Sequence, residues 1–160
     1  MSHDSIYTFN MLKQKITDNI KQALKSGDAL RLSTLRMLSA AIANKEIELR
    51  KKDMGLSDDE IIPVINSELK KRKDAAVEYK KGGREESAKK EESEAAILKG
   101  YLPPEMPDEE LREIVKKSVA ESGAQSQKDF GKTMKLIMPQ VKGRADGNKI
   151  SQMLKEELTS

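Results

Sequence analysis

The architecture of this chain turns on "YLPPEMP", Tyr101 to Pro107, which places three prolines in seven residues. Each proline lacks an amide donor and pushes the residue before it toward extended backbone, so no helix runs through the stretch. It reads as a stiff connection that parts the 160 residues into 1–102, a Pro-rich linker at 103–107, and 108–160. On both sides apolar residues recur at three- and four-residue spacing, and no segment shows the period-two alternation of a half-buried strand. The expected fold is all-α. It comprises an N-terminal helical domain with a long antiparallel helical hairpin, and a small three-helix C-terminal domain.

Upstream of the prolines, Ile6, Phe9, Leu12, Ile16, Ile20 and Leu24 mark one face of a first helix, which Gly27 ends. Asp28 is placed to cap a second helix, whose core face carries Leu32, Leu35, Leu38, Ile42 and Leu49. Ser57 with Glu60 forms a capping-box pattern before a third helix, Asp58 to Lys81, about 36 Å long. Ile61, Ile65, Leu69, Ala76 and Tyr79 give it an apolar stripe. Gly82-Gly83 breaks it, and a fourth helix runs from about Arg84 to Lys99. "KKRKDAAVEYKK" and "REESAKKEESE" flank this turn and hold few apolar residues, so the hairpin tip is expected in solvent, held by Glu–Lys pairs more than by a core. Downstream, three short helices are expected at roughly Asp108–Ser122, Gln127–Met138 and Gly147–Leu158. Met37, Met134, Met138 and Met153 fall at positions compatible with packing.

Composition narrows the chemistry. The chain has no cysteine, so thiol catalysis, disulfides and cysteine–zinc sites are excluded. Its one histidine, His3, lies in the N-terminal arm, away from any expected site. "GGRE" has neither the spacing nor the Lys-Ser/Thr of a phosphate-binding loop. Asp58, Asp59 and Glu60 are consecutive on a helix and point apart, which suits an acidic first turn better than a metal site. No catalytic residue, metal or cofactor is expected from these patterns. No apolar run approaches the roughly 20 residues of a membrane span, and no signal-peptide pattern opens the chain. The expectation is a cytoplasmic protein with no membrane partner.

The net charge of +3 is small, but from residue 128 onward seven cations face four anions. Lys128, Lys132 and Lys135 share one helix face, opposite Phe130, Met134, Ile137 and Met138. That face suits either solvated lysines or contacts to phosphates. "KKRK", Lys70 to Lys73, spreads around its helix and reads as a solvated surface. In "VKGRADG", Val141 to Gly147, Gly143 is placed to end one helix, Asp146 to cap the next, and Gly147 to permit close approach. Lys142 and Arg144 are not needed for that turn, and they flank a helix N-terminus, where anions are favoured. Aromatic residues are too scattered for a base-stacking platform, so a nucleic-acid partner would be a folded RNA read through shape and phosphates.

With these segments laid out, the chain resembles the YqeY-like (GatB/YqeY) proteins along nearly its whole length. The resemblance rests on "RLSTLRMLSAAIANKEIE" (Arg31 to Glu48), "LKKRKDAAVEYKKGGREE" (Leu69 to Glu86), "ILKGYLP" (Ile97 to Pro103) and "DFGKTMKLIMPQVKGRADG" (Asp129 to Gly147). The last is similar to the tail domain of GatB, a component of the glutamine-dependent Asp-tRNA/Glu-tRNA amidotransferase, with Phe130 standing where smaller residues or methionine are common. The resemblance implies tRNA binding by the C-terminal helices, with Lys132, Lys142, Arg144 and Lys149 as the candidate RNA-binding residues. It also implies tRNA amidotransferase or aminoacyl-tRNA synthetase components as partners. Members of the family carry a label of carbon–nitrogen ligase activity with glutamine as amido donor. That label and a protein–protein adaptor role for the hairpin stand as the alternatives.

Overall fold

The structure is a computed structural model that describes residues 11–159; Ile6, Tyr7, Phe9 and His3 lie outside the described residues. All the regular structure described is helical, and the chain divides into two compact units between Leu102 and Pro103.

Among the described residues the first unit holds α1 (Met11–Ser26), α2 (Ala29–Glu48), α3 (Asp58–Lys81) and α4 (Glu85–Lys99). Ile16, Leu35, Leu38, Ile61, Ile65 and Leu98 form the centre of its core. The expected caps are present. Asp28 accepts from the Arg31 N–H at 3.1 Å, and Ser57 and Glu60 form a reciprocal capping box. Asp58 also reaches outside its own helix, accepting the Leu12 N–H at 3.0 Å and so satisfying a first-turn donor of α1.

Three expected core positions are corrected. Leu24 is exposed and Ala23 is buried in its place, because the stripe through Leu12, Ile16 and Ile20 returns to Ala23, with Leu24 a further 100° round the helix. Leu49 follows the end of α2 and is exposed, as is Met37, which lies on the side of α2 away from Leu35, Leu38 and Ile42. The hairpin of α3 and α4 is also less purely ionic than expected. Ala76, Ala88 and Ala95 are buried along it, small enough to let two helices approach, and the Lys80–Glu92 ion pair crosses it. Arg72, read as part of a solvated tract, is 5% exposed, and its guanidinium lies 3.1 Å from Glu68 and 3.3 Å from Glu94. A guanidinium carries an apolar stem into the interface while its head finds carboxylates on both helices.

The second unit holds α5 (Asp108–Ser122), a 3₁₀ turn (Gln127–Asp129), α6 (Phe130–Val141) and α7 (Gly147–Thr159). Leu111, Val115, Ile137, Val141, Ile150 and Leu154 fill its core. Two boundaries differ from the sequence expectation. α6 continues through Pro139 to Val141, because Val141 is buried one turn beyond Ile137 while Pro139 lies on the exposed side. The missing proline donor removes one backbone bond, which the buried valine offsets. The segment at 103–107 is not a free linker: Met106 is buried in this core, and its N–H donates to the Arg144 carbonyl at 2.7 Å. On the other side of the boundary, Tyr101 is buried in the first unit and accepts a hydrogen bond from Asn19.

Candidate nucleic-acid interface

α6 presents opposite faces to protein and to solvent. Thr133, Ile137 and Val141 are buried at four-residue intervals. Ser122 and Thr133 hydroxyls lie 3.1 Å apart, and Gln140 donates to the Ser118 hydroxyl at 3.2 Å, which fix the helix against α5. Leu136 and Met138 flank Ile137 by 100° on either side and are exposed, so Met138 is not a core residue. The face opposite the core carries Lys132, Lys135 and Pro139, with Lys128 in the preceding 3₁₀ turn; all four are exposed, and the one acid of the stretch, Asp129, accepts the Gln125 N–H at 3.0 Å. None of the three lysines has an ion-pair partner among the described residues. Gly131 adds no bulk at the start of the helix, and its surroundings are open.

Lys142 follows, with φ 50° and ψ 42°, and closes α6 through its N–H to the Met138 carbonyl at 3.3 Å. Left-handed backbone costs an L-residue with a Cβ about 1–2 kcal/mol. The turn thus places two left-handed residues in succession, Lys142 and Gly143, where the sequence pattern suggested that glycine alone would end the helix. Lys142 is therefore part of the turn, contrary to the expectation that the turn does not need it. Its side chain is exposed and unpaired among the described residues.

Arg144 is likewise built into the scaffold. Its Nε donates to the Pro104 carbonyl at 3.1 Å, Nη1 lies 3.6 Å from Glu110, and its own carbonyl receives the Met106 N–H. It clasps the proline segment to the turn. Lys149, on the first turn of α7, pairs with Asp108 at 2.5 Å, and this hydrogen bond holds its ammonium above the usual lysine range. Asp146 caps α7 as expected, accepting the Asn148 N–H at 2.8 Å. Gly147 opens α7, but nothing lies within 4 Å of where its Cβ would be, so no close approach requires glycine there.

The structure thus separates the four candidate cations. Lys132 and Lys142 are free to meet an anion, in company with Lys128 and Lys135, whereas Arg144 and Lys149 are bonded to Glu110 and Asp108. Local spacing carried the lysine stripe, but it held no signal for the acidic partners, which stand more than thirty residues away in sequence. The Asp58–Glu60 trio diverges as expected: Asp58 turns to α1, while Glu60 bonds Ser57 and Lys51. Among the described residues no three carboxylates or histidines converge on a common point, and no helix is long and apolar enough to cross a membrane.

The family model described as "Yqey-like protein" matches residues 13–158. The chain is also similar to three yeast proteins, each called "Altered inheritance of mitochondria protein 41, mitochondrial". That of Vanderwaltozyma polyspora is 33% identical over 101 residues, which is 63% of this chain and 52% of the relative. That of Lachancea thermotolerans is 36% identical over 84 residues, 52% of this chain and 44% of the relative. That of Kluyveromyces lactis is 34% identical over 86 residues, 54% and 45% respectively. The chain therefore spans about half the length of these curated relatives.

Proposed function

From the premise that this chain belongs to the YqeY-like protein family, we propose that it is an RNA-binding accessory protein. Its second unit grips a structured RNA, a tRNA by the resemblance to the amidotransferase tail, through phosphate contacts along α6. The observation that carries this reading is the exposed face of α6 and of the turn before it, where Lys128, Lys132 and Lys135 stand without an ion pair among the described residues while Asp129 is engaged by the Gln125 N–H. Unpaired ammonium groups bring no competing carboxylate, so phosphates replace only water and counterions. Lys142 extends the positive surface at the C-terminal end of the helix. Arg144 and Lys149 act through the scaffold: they hold the turn and the proline segment that carry it.

Replacing Lys128, Lys132 and Lys135 together by alanine tests the proposal in a gel-shift titration with a tRNA over a range of salt. Each lost phosphate contact lowers the salt slope by roughly 0.7–0.9, so the triple variant should bind more weakly and lose about two units of slope or more. Arg144→Ala should lower the stability of the second unit more than it lowers affinity. Wild-type protein that fails to shift a tRNA even at low salt would refute the reading.

A further inference from the structure

α2 has a second face that is left exposed among the described residues. Its buried stripe runs through Leu35, Leu38 and Ile42. On the opposite side Ser33, Arg36, Met37, Ala40, Asn44 and Ile47 are all exposed, and Arg36 is the one charge on that exposed face between Ser33 and Ile47. The other described helices of the unit spread charges of both signs over their exposed sides, whereas α2 holds its one exposed acid, Glu48, at its last residue. In a chain with 36% charged residues, such a face is unlike an ordinary solvated surface. It is not merely small: Met37 is 52% and Ile47 61% exposed. Ser33, Ala40 and Ile47 recur at seven-residue intervals with Met37 and Asn44 between them, the spacing of a helix–helix seam. Met37 is also held from behind, because the buried Arg72 guanidinium reaches its sulfur at 3.5 Å. A side chain ordered in advance loses less entropy when a partner covers it.

The geometry points to a second copy of this chain as the partner, in an antiparallel α2–α2 pair about a twofold axis at Ala40. An isologous contact requires the patch to complement itself, and the order of residues does so. With Ala40 on the axis, the two alanines meet and allow close approach. Ser33 lies level with Ile47 of the other copy, small beside large, and Met37 with Ala43. Arg36 lies level with Asn44, so the two arginines stand about 12 Å apart along the helices at 1.5 Å per residue, and no cation faces a cation. Arg36 is the one charge within the face, and the Asn44 amide of the other copy stands level with it, so the pair buries no carboxylate. This surface lies on the first unit and is independent of the lysine face of α6.

Sedimentation of the nuclease-treated full chain over a wide concentration range tests the inference. The wild type should pass from one to two chain masses as concentration rises. Ala40→Glu and Ala40→Lys should each be monomeric at concentrations where the wild type pairs, with unchanged helical circular dichroism, because like charges then meet on the axis. An equimolar mixture of the two variants should recover the pair, since opposite charges now face each other. A wild type that stays monomeric throughout would overturn the inference. So would an Ala40→Glu variant that pairs as the wild type does, or a mixture that gives no recovery, which would mean another register or another occupant for the face.

Discussion

Two lysine-rich tracts, Lys70–Lys73 on α3 and Lys128–Lys135 leading into α6, are alike in residue type and opposite in state. On α3 three of the four cations pair with carboxylates: Lys70 with Asp74, Lys71 with Glu68, and Arg72 with Glu68 and Glu94. Around Lys132 and Lys135 the positions three and four residues away hold Gly131, Leu136, Met138, Pro139 and a single acid, Asp129, which accepts the Gln125 N–H at 3.0 Å, so the spacing that pairs cations on α3 leaves these lysines unpaired among the described residues. A count of basic residues therefore says little about an anion site. What matters is whether the helix, or a helix packed against it, supplies acids at reach.

The contrast has measurable consequences. Arg72→Ala should have the largest effect. It leaves buried Glu94 without its cation and Glu68 with only the exposed Lys71, and loss of one partner of a buried pair typically costs about 3–5 kcal/mol. Urea unfolding of the full chain reads this, and a loss below about 1 kcal/mol would place Arg72 among the solvated cations after all. RNA affinity of the folded protein should be unchanged. Lys142→Gly comes next. Glycine relieves the left-handed backbone, so the second unit should gain up to about 1 kcal/mol, while RNA affinity falls with the lost ammonium. Gain of stability with no loss of affinity would remove Lys142 from the proposed interface.

A third test concerns pH. Lys51 bonds Glu60 at 2.5 Å and, with the Ser57 N–H, holds its carboxyl below the usual carboxylate range. A lowered folded value means that the stabilisation is present above the unfolded value and is lost as pH falls through the lowered one. Wild type should therefore melt higher than Glu60→Gln near neutral pH, and the gap should close in acid, below the ordinary value of 4.5. An unchanged gap down to strongly acid pH would contradict the assigned cause. The smallest effect is expected for Lys70→Ala with Lys73→Ala. Both side chains are exposed, so stability should move by no more than about 0.5 kcal/mol, and tRNA binding should remain that of the wild type.

Much of this molecule is legible in local patterns. The capping box at Ser57–Glu60, the caps at Asp28 and Asp146, the hairpin turn at Gly82-Gly83 and the division at the prolines all stand where spacing and residue type put them. Each depends on residues within four positions of one another, where backbone geometry fixes the outcome. The lysine stripe belongs to the same group, since three residues at four- and three-residue spacing share a helix face whatever the tertiary fold.

The assignment of charges was not legible in this way. That Arg72 is buried depends on Glu94 arriving from α4, and that Arg144 clasps Pro104 depends on the chain returning forty residues later. Lys149 looks like any first-turn lysine until Asp108 is brought beside it. The bare face of α2 was hidden for a related reason: α2 is apolar on several sides, and only packing shows which side the core takes. Periodicity and residue type within one element need no neighbours, and they were sufficient for the helical character of the chain and for its local caps. Partners, burial and exposed surface belong to pairs of elements distant along the chain, and those became definite only when the helices packed.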